Sequence, residues 1–441
     1  MEFDEPDLTS DAGLAAVLAS GVGDELLGHL AGAFADGRHS PTHGAEQIIA
    51  QRVYGIIAGY PDADDSDHLR DDPVMRAASG RPAEQALASQ PTVSRLENAA
   101  RRADILRMSA ALLEFFLDSF SGEAPPMICI DMDPSAHLLY GQQELGLFNT
   151  HVGDTCLMPF YIFDGITGRI MAAVLREGAT PRAGEIKTVL SRLVAAIRGR
   201  FPTTQVLLRA DGHHTKPEVM DWMEAQRGDG GGGEVDRRGV DYVTGLAGNP
   251  VLERLFATDI QNARLRCEGG RRASGDPSFE RVSYAETKYA AKSWSRPRRV
   301  VARIIAGPLG VDIRSVVTSL EVATPQYIYC TVYCGRGEAE LFIRECKQLG
   351  SDTSPCTSAT ANAFRLLLHA AAYAVLHSFR EKVLAGTQWA RAMLGTIQLR
   401  LIKVAARIEL HSRRAILHLG RGHPPEYRGV WRRAAAARAP G

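Results

Sequence analysis

Between residues 127 and 246 the sequence alternates short apolar runs with longer, helically spaced ones, in an order that restricts how the chain can be wound. β-like runs occupy Met127 to Asp133, Cys156 to Phe163 and Arg169 to Arg176, with turn residues Asp164-Gly165 and Thr167-Gly168 between the last two. Helical spacing follows at Ile186, Val189, Leu190, Leu193, Val194 and Ile197, then a strand at Gln205 to Asp211, a helix from Pro217 and a strand at Val240 to Leu246. The resulting order is β-β-β-α-β-α-β. Asp131 and Asp133 lie two apart at the end of the first strand, so they leave the same face of a sheet. Asp211 closes the fourth, where an apolar run ends on a charge. An aspartate in that position also serves as an ordinary turn or helix cap, and each site taken alone leaves both readings open.

This is the order of a ribonuclease-H-like α/β core, in which an acidic site gathers at the ends of the first and fourth strands. The expected fold is that core with a β-rich insertion, flanked by helical regions at both ends. Residues 1–121 read as a helical region, with helices at Ala45 to Tyr60 and Leu96 to Phe120 and caps at Pro91 to Ser94. The break at Gly122 to Pro126 opens the first part of the core, 122–255. A basic, β-rich insertion is expected over 256–325, the second part of the core over 326–385, and a basic helical region over 386–441. Helical spacing is expected to about residue 415, with a poorly ordered tail after it. The glycine-rich stretch 228–233 reads as a plain loop.

Charge separates along the chain although 51 basic and 51 acidic residues cancel. Residues 1–80 carry 15 acidic against 4 basic side chains, residues 264–303 carry 11 basic against 4 acidic, and residues 380–438 carry 13 basic against 3 acidic. Two basic zones in a neutral chain suit a polyanionic partner. Candidate contacts are Arg271, Arg272, Arg296, Arg298 and Arg299 in the first zone, and Arg413, Arg414, Arg432 and Arg433 in the second. An ordinary solvated surface is the competing reading. Seven cysteines without CxxC spacing argue against zinc knuckles and a secreted disulfide framework. The start lacks the order of a signal peptide, and the longest apolar run, Leu366 to Phe379, is interrupted by His369 and His377. A cytoplasmic protein without a membrane span is expected. His213-His214 offers no metal spacing, because neighbouring side chains diverge and no third ligand follows.

A further constellation runs from Tyr333 to Lys347. If a helix begins near Gly335, then Arg336, Glu340, Arg344 and Lys347 share one face, which a salt-bridged solvated helix would also explain. Tyr333, Arg336, Glu340 and Lys347 nevertheless fit the spacing Y-x2-R-x3-E-x6-K, which resembles the signature of bacterial cut-and-paste DDE transposases. Asp133-Pro134-Ser135 and Leu208 to Gly212 resemble the segments bearing that family's two aspartates. His68 to Pro73, Ala88 to Asn98, Gly141 to Gln143, Val316 to Glu321 and Asn362 to Tyr373 resemble the insertion sequence thirteen-eighty branch, so the similarity spans nearly the whole chain. Pro134-Ser135, Gly212 and the long glycine loop depart from the usual pattern.

The resemblance implies two Mg2+ ions, for which Mn2+ substitutes, held by Asp133, Asp211 and Glu340, with Asp131 in reserve for the first position. Crowded carboxylates repel one another, so at least one should have a raised pKa. Arg336, Arg344, Lys347 and Tyr333 would hold DNA phosphates, and Trp294 would be a platform for a flipped base if it is not simply structural. The implied partner is double-stranded DNA, as terminal inverted repeats and target, bound by a dimer, and the resemblance adds a DNA-binding role to the helical region 1–121. A non-catalytic repeat-binding descendant and an unrelated metal-dependent nuclease are the alternatives.

Overall fold

The computed structural model describes residues 7–82, 84–226, 239–411, 414–420, 422 and 426–438. The glycine stretch 228–233 and Arg413 lie outside the described residues, as does the side chain of Arg414.

The first strand, β1 (Met127–Pro134), pairs antiparallel with β2 (Phe160–Asp164), and β2 pairs antiparallel with β3 (Ile170–Val174). On its other side β1 runs parallel to β4 (Gln205–Ala210), which runs parallel to β5 (Val240–Leu246). The crossovers are helices α1 (Ala183–Arg200) and α2 (Pro217–Ala225), as parallel neighbours require. The expected run Cys156 to Phe163 divides at Met158-Pro159. Asp154–Leu157 joins His137–Leu138 and Leu147–Asn149 in a small separate sheet, while Phe160 starts β2.

Among the described residues the main sheet has eight strands, because β6 (Arg281–Tyr289), β7 (Arg298–Gly307) and β8 (Gly310–Thr318) extend it beyond β5. All three are antiparallel to their neighbours, with Gly245 opposite Val316 where β8 meets β5. The basic segment before them is not loose chain. It forms helix α3 (Ala257–Ser274), whose narrow stripe of Ala263 and Cys267 packs on the same cluster as Ala302 and Ile304. So thin an apolar stripe in a charged sequence hides helical periodicity.

Alternation sorts the sheet's two faces. Ile128, Ile130 and Met132 point into a core shared with Ile186, Leu190, Leu193 and Ile197 of α1. Cys129 points the other way, with Leu207, Val243, Val301 and Val316, beneath Ile328 and Tyr329. Asp131 and Asp133 follow Cys129 onto that second face.

The remaining elements form a helical body around α5 (Ala359–Lys382), to which helix α4 (Gly337–Gln348) is joined by the short segment between them. By length and composition α5 could cross a membrane, but 83% of its apolar window is buried inside the protein. Around it pack Ala45–Ile57, Gln90–Ala99 and Arg102–Asp118; the last two replace the single helix expected from Leu96, and Pro91 sits in the first turn of the earlier one. Buried Glu97 accepts hydrogen bonds from Arg52 at 2.9 Å and from Arg365 at 3.1 Å, tying the amino-terminal helices to α5.

The carboxyl end departs from expectation. Instead of a helix to residue 415 and a loose tail, the chain forms a hairpin, Ala406–His411 with Arg414–Leu419, whose first strand pairs with Leu8–Thr9. Helix Glu426–Ala437 then buries Tyr427, Val430 and Ala434, packing beside Leu14–Ser20. A minority of well-spaced apolar residues suffices for this, although Gly, Pro, Ala and Arg make up much of the segment.

Candidate active site

Asp133 lies near the carboxyl end of β1, Asp211 follows β4, and Glu340 stands on α4, joined to Asp133 through Arg336. The turn that leads into α4 is continuous helical chain: Pro325–Tyr327, a wider π-type turn at Ile328–Tyr333, a tighter one at Cys334–Arg336, then α4 itself. The wide turn buries Ile328 and Tyr329 against the sheet, while α4 buries Ala339, Ile343 and Cys346 and leaves Glu340 and Arg344 exposed. Residues three and four apart therefore do share a face here, as the spacing indicates.

Asp133 lies at the edge of the site, with the Arg336 guanidinium 2.5 Å from its Oδ2. The same Arg336 reaches Oε1 of Glu340 at 3.5 Å. Burial pushes the Asp133 carboxyl up to about 7; Arg336 opposes this, and the fields of Asp211, Asp131 and Glu340 add to it. The expected raised pKa thus falls on Asp133, with burial as its largest cause and carboxylate repulsion next in the same direction.

Asp211 follows β4 directly and caps the short turn Gly212–His214, accepting from the His213 backbone N–H at 2.9 Å. Both histidine rings converge on it, with Nδ1 of His213 and Nδ1 of His214 each 2.8 Å from its oxygens. An ionised carboxylate only accepts, so each ring presents its Nδ1 proton. Burial works against the charge of Asp211, but these hydrogen bonds outweigh it and hold the group well below the usual carboxylate range. The neighbouring histidines do not diverge as expected, because the tight turn folds both side chains back. His214 is buried beside Phe160, with its Nε2 lacking a hydrogen-bond partner.

Asp131 is on the right face but is otherwise engaged. Arg209, its register partner on β4, grips both oxygens, Nε to Oδ1 at 2.7 Å and Nη2 to Oδ2 at 2.6 Å. The carboxyl is fully buried, and burial lifts it to about 6 even against Arg209. Both of its oxygens are thus taken up by Arg209, whereas Asp133 lies in the fields of Asp211 and Glu340. Sequence parity could not separate the two, since the discriminating partner lies 78 residues away.

Tyr333 sits over the end of β5, where a Cβ on Gly245 would lie 2.8 Å from its hydroxyl and 3.0 Å from Gly212 N. Glycine thus lets the tyrosine, the Asp211 turn and the strand approach one another closely, and a side chain there would press the hydroxyl outward. Lys347 donates from Nζ to Ala136 O at 3.3 Å, just past Asp133-Pro134-Ser135.

Several of the named arginines of the basic zones are engaged by the protein itself. Arg298 is buried, bound to Glu224 at 2.8 Å and Asp221 at 2.6 Å, and stacked over Trp294. Arg299 pairs with Glu286 and donates to Leu320 O and Ala323 O. These two expected DNA contacts are therefore turned to the protein itself. Trp294 is held between Arg298 and Tyr289, as a structural tryptophan. Arg271 donates to Phe279 O, Arg296 pairs with Glu224 at 2.5 Å, Arg433 donates to Ala385 O, and Arg272 and Arg432 are exposed. A cleft of about 1160 Å³ lies among Glu224, Lys288, Arg296 and Arg299, and its lining does not include Asp133, Asp211 or Glu340.

Among the described residues no group of three or more His, Cys, Asp or Glu side chains is arranged to hold a metal ion. The donors nevertheless suit a hard divalent cation: Asp133, Asp211 and Glu340 all offer carboxylate oxygen, and each of the other two acts on the pKa of Asp133. Arg336 bridges Asp133 and Glu340, while His213 and His214 hold Asp211. Arrangements of this kind, acids beside cations at the end of a sheet, can bind a phosphodiester and a cation together.

A family model described as Transposase DDE domain group 1 matches residues 1–436. No curated protein matches the chain. Among solved structures, a piggyBac transposase in a synaptic complex with hairpin DNA, determined by cryo-EM, is similar at a TM-score of 0.44 and 9% identity, covering 88% of this chain and 80% of that one.

Proposed function

The chain belongs to the DDE transposases of group 1, and from that premise we propose that it is an insertion-sequence transposase, of the thirteen-eighty branch, that cuts and joins DNA at Asp133, Asp211 and Glu340. In this reading the strand order β3-β2-β1-β4-β5 is a ribonuclease-H-like core, and β6 to β8 are its insertion. The observation that carries the reading is the approach of Arg336 to both Asp133 and Glu340, with Asp211 close enough to raise the pKa of Asp133.

Magnesium bound by the three acids would polarise the scissile phosphate and acidify the attacking oxygen. The remaining work belongs to the chain. Arg336 is placed to exchange Asp133 for a phosphate, which it can grip with two parallel N–H groups. Lys347 offers a point charge beside the end of β1, and Arg344 an exposed guanidinium on the same helix. Tyr333 can donate its hydroxyl to the DNA backbone. His213 and His214 keep Asp211 ionised and aimed. The substrate is the element's terminal inverted repeats, followed by target DNA, and joining two ends calls for a dimer in the DNA-bound state.

The test is a cleavage assay on inverted-repeat duplex with magnesium. Glu340→Gln should abolish nicking while leaving duplex binding and the melting temperature near wild type, because the side chain is 64% exposed. Full nicking by Glu340→Gln would defeat the assignment.

A further inference from the structure

The same face of the sheet continues past the carboxylates onto the three added strands, and what it presents there differs from the expected arginines. Register fixes the set: Tyr284 on β6 is opposite Arg303 on β7, and Arg303 is opposite Arg314 on β8. One pleat repeat back along the same strands, Val301 lies opposite Val316 and Val316 opposite Gly245, beside the Asp211 turn. Val301 and Val316 belong to the cluster under Ile328 and Tyr329, and Tyr284 packs against it. Tyr284, Arg303 and Arg314 therefore share the face of Asp133 and lie at the same end of the sheet as the acids.

Spacing gives the reach. Strands lie about 4.8 Å apart, so Arg314, two strands from β4, is offset from Asp211 by roughly 10 Å, and Arg303 by roughly 14 Å. At about 3.4 Å of duplex axis per phosphate on one strand, these offsets span about three to four phosphates. Arg314 is held only loosely, by Asp312 at 3.1 Å, with a side chain that is 70% exposed. Arg303 is half-buried between Arg314 and Tyr284. Opposite charge and unbroken continuity with the candidate active site both favour one occupant, a DNA duplex.

We propose that Arg303 and Arg314, bordered by Tyr284, form a phosphate track that carries the duplex arm away from the carboxylates across the added strands. The track rests on the transposase reading and adds to it the path of the substrate. It also gives the added strands a role: they extend the sheet so that its second face has length as well as an acidic site.

The experiment measures binding of the full chain to a 40-base-pair duplex of mixed sequence, by fluorescence anisotropy in EDTA over a series of salt concentrations. Each lost phosphate contact flattens the slope of log affinity against log salt by about 0.9, so Arg303→Ala/Arg314→Ala should flatten it by about 1.8. Arg303→Lys/Arg314→Lys should keep the wild-type slope, since lysine supplies the same charge. Arg264→Ala/Arg266→Ala removes equal charge from exposed positions of α3, on the opposite face, and should leave the slope unchanged. If the double alanine variant melts early, Arg314→Ala alone, at an exposed position, should flatten the slope by about 0.9. A wild-type slope in the double alanine variant, or equal flattening by the α3 variant, would overturn the track and leave the proposed function standing. A wild-type chain without salt-dependent duplex binding would overturn both.

Discussion

Asp133 illustrates how a single carboxyl reports on its surroundings. Its pKa rises from the ordinary 3.8 to about 7, so between those limits the folded chain holds a proton that the unfolded chain has released. More protons on the native state mean that stability falls as pH rises through that window. Metal-free protein should therefore lose stability between about pH 4 and pH 7 in urea titrations, and Asp133→Asn should lose less. Divalent-ion affinity runs the other way, since binding must displace the proton. Calorimetry with Mn2+ should show affinity climbing toward pH 7 and then levelling. A flat profile from pH 5.5 to 8 would show that Asp133 is not a ligand.

Helix α4 holds the exposed Glu340 still by means of a residue one and a half turns further on. Glu345 is buried and accepts from Arg380 of α5 at 2.5 and 3.2 Å, and from Leu394 N at 3.1 Å. Gln348, on the same helix, accepts from Gly395 N at 3.2 Å. Breaking a buried pair by removing one partner typically costs about 3–5 kcal/mol, because the other charge is stranded. Glu345→Ala should destabilise the chain by about that much in denaturant titrations. Glu345→Gln keeps an acceptor and should cost less, while lowering cleavage more than DNA binding. Equal stability of Glu345→Ala and wild type would mean that the clamp does not form.

Across the whole molecule, the two ends of the chain are packed together. Leu8–Thr9 joins the carboxyl-terminal hairpin, and Val430 and Ala434 are buried where the last helix lies beside Leu14–Ser20. Val430→Asp places an unpaired charge in that contact. It should speed proteolysis within residues 14–33 as well as at the carboxyl end, as seen by mass spectrometry of early fragments. Cleavage confined to the carboxyl end would show that the two segments unfold independently.

The strand order from Met127 to Leu246, the shared face of Asp131 and Asp133 and the helical face of Arg336 and Glu340 are all local matters, set by side-chain period and turn residues, and the sequence alone determined them. Long-range partners decided the rest. Arg209 takes Asp131 out of reach, Glu224 and Glu286 turn Arg298 and Arg299 inward, and cross-strand register brings Arg303 beside Arg314. Charge in a sequence states how many cations a segment holds, but only tertiary packing determines which of them keep a free face, because it decides which acids are brought within reach of them.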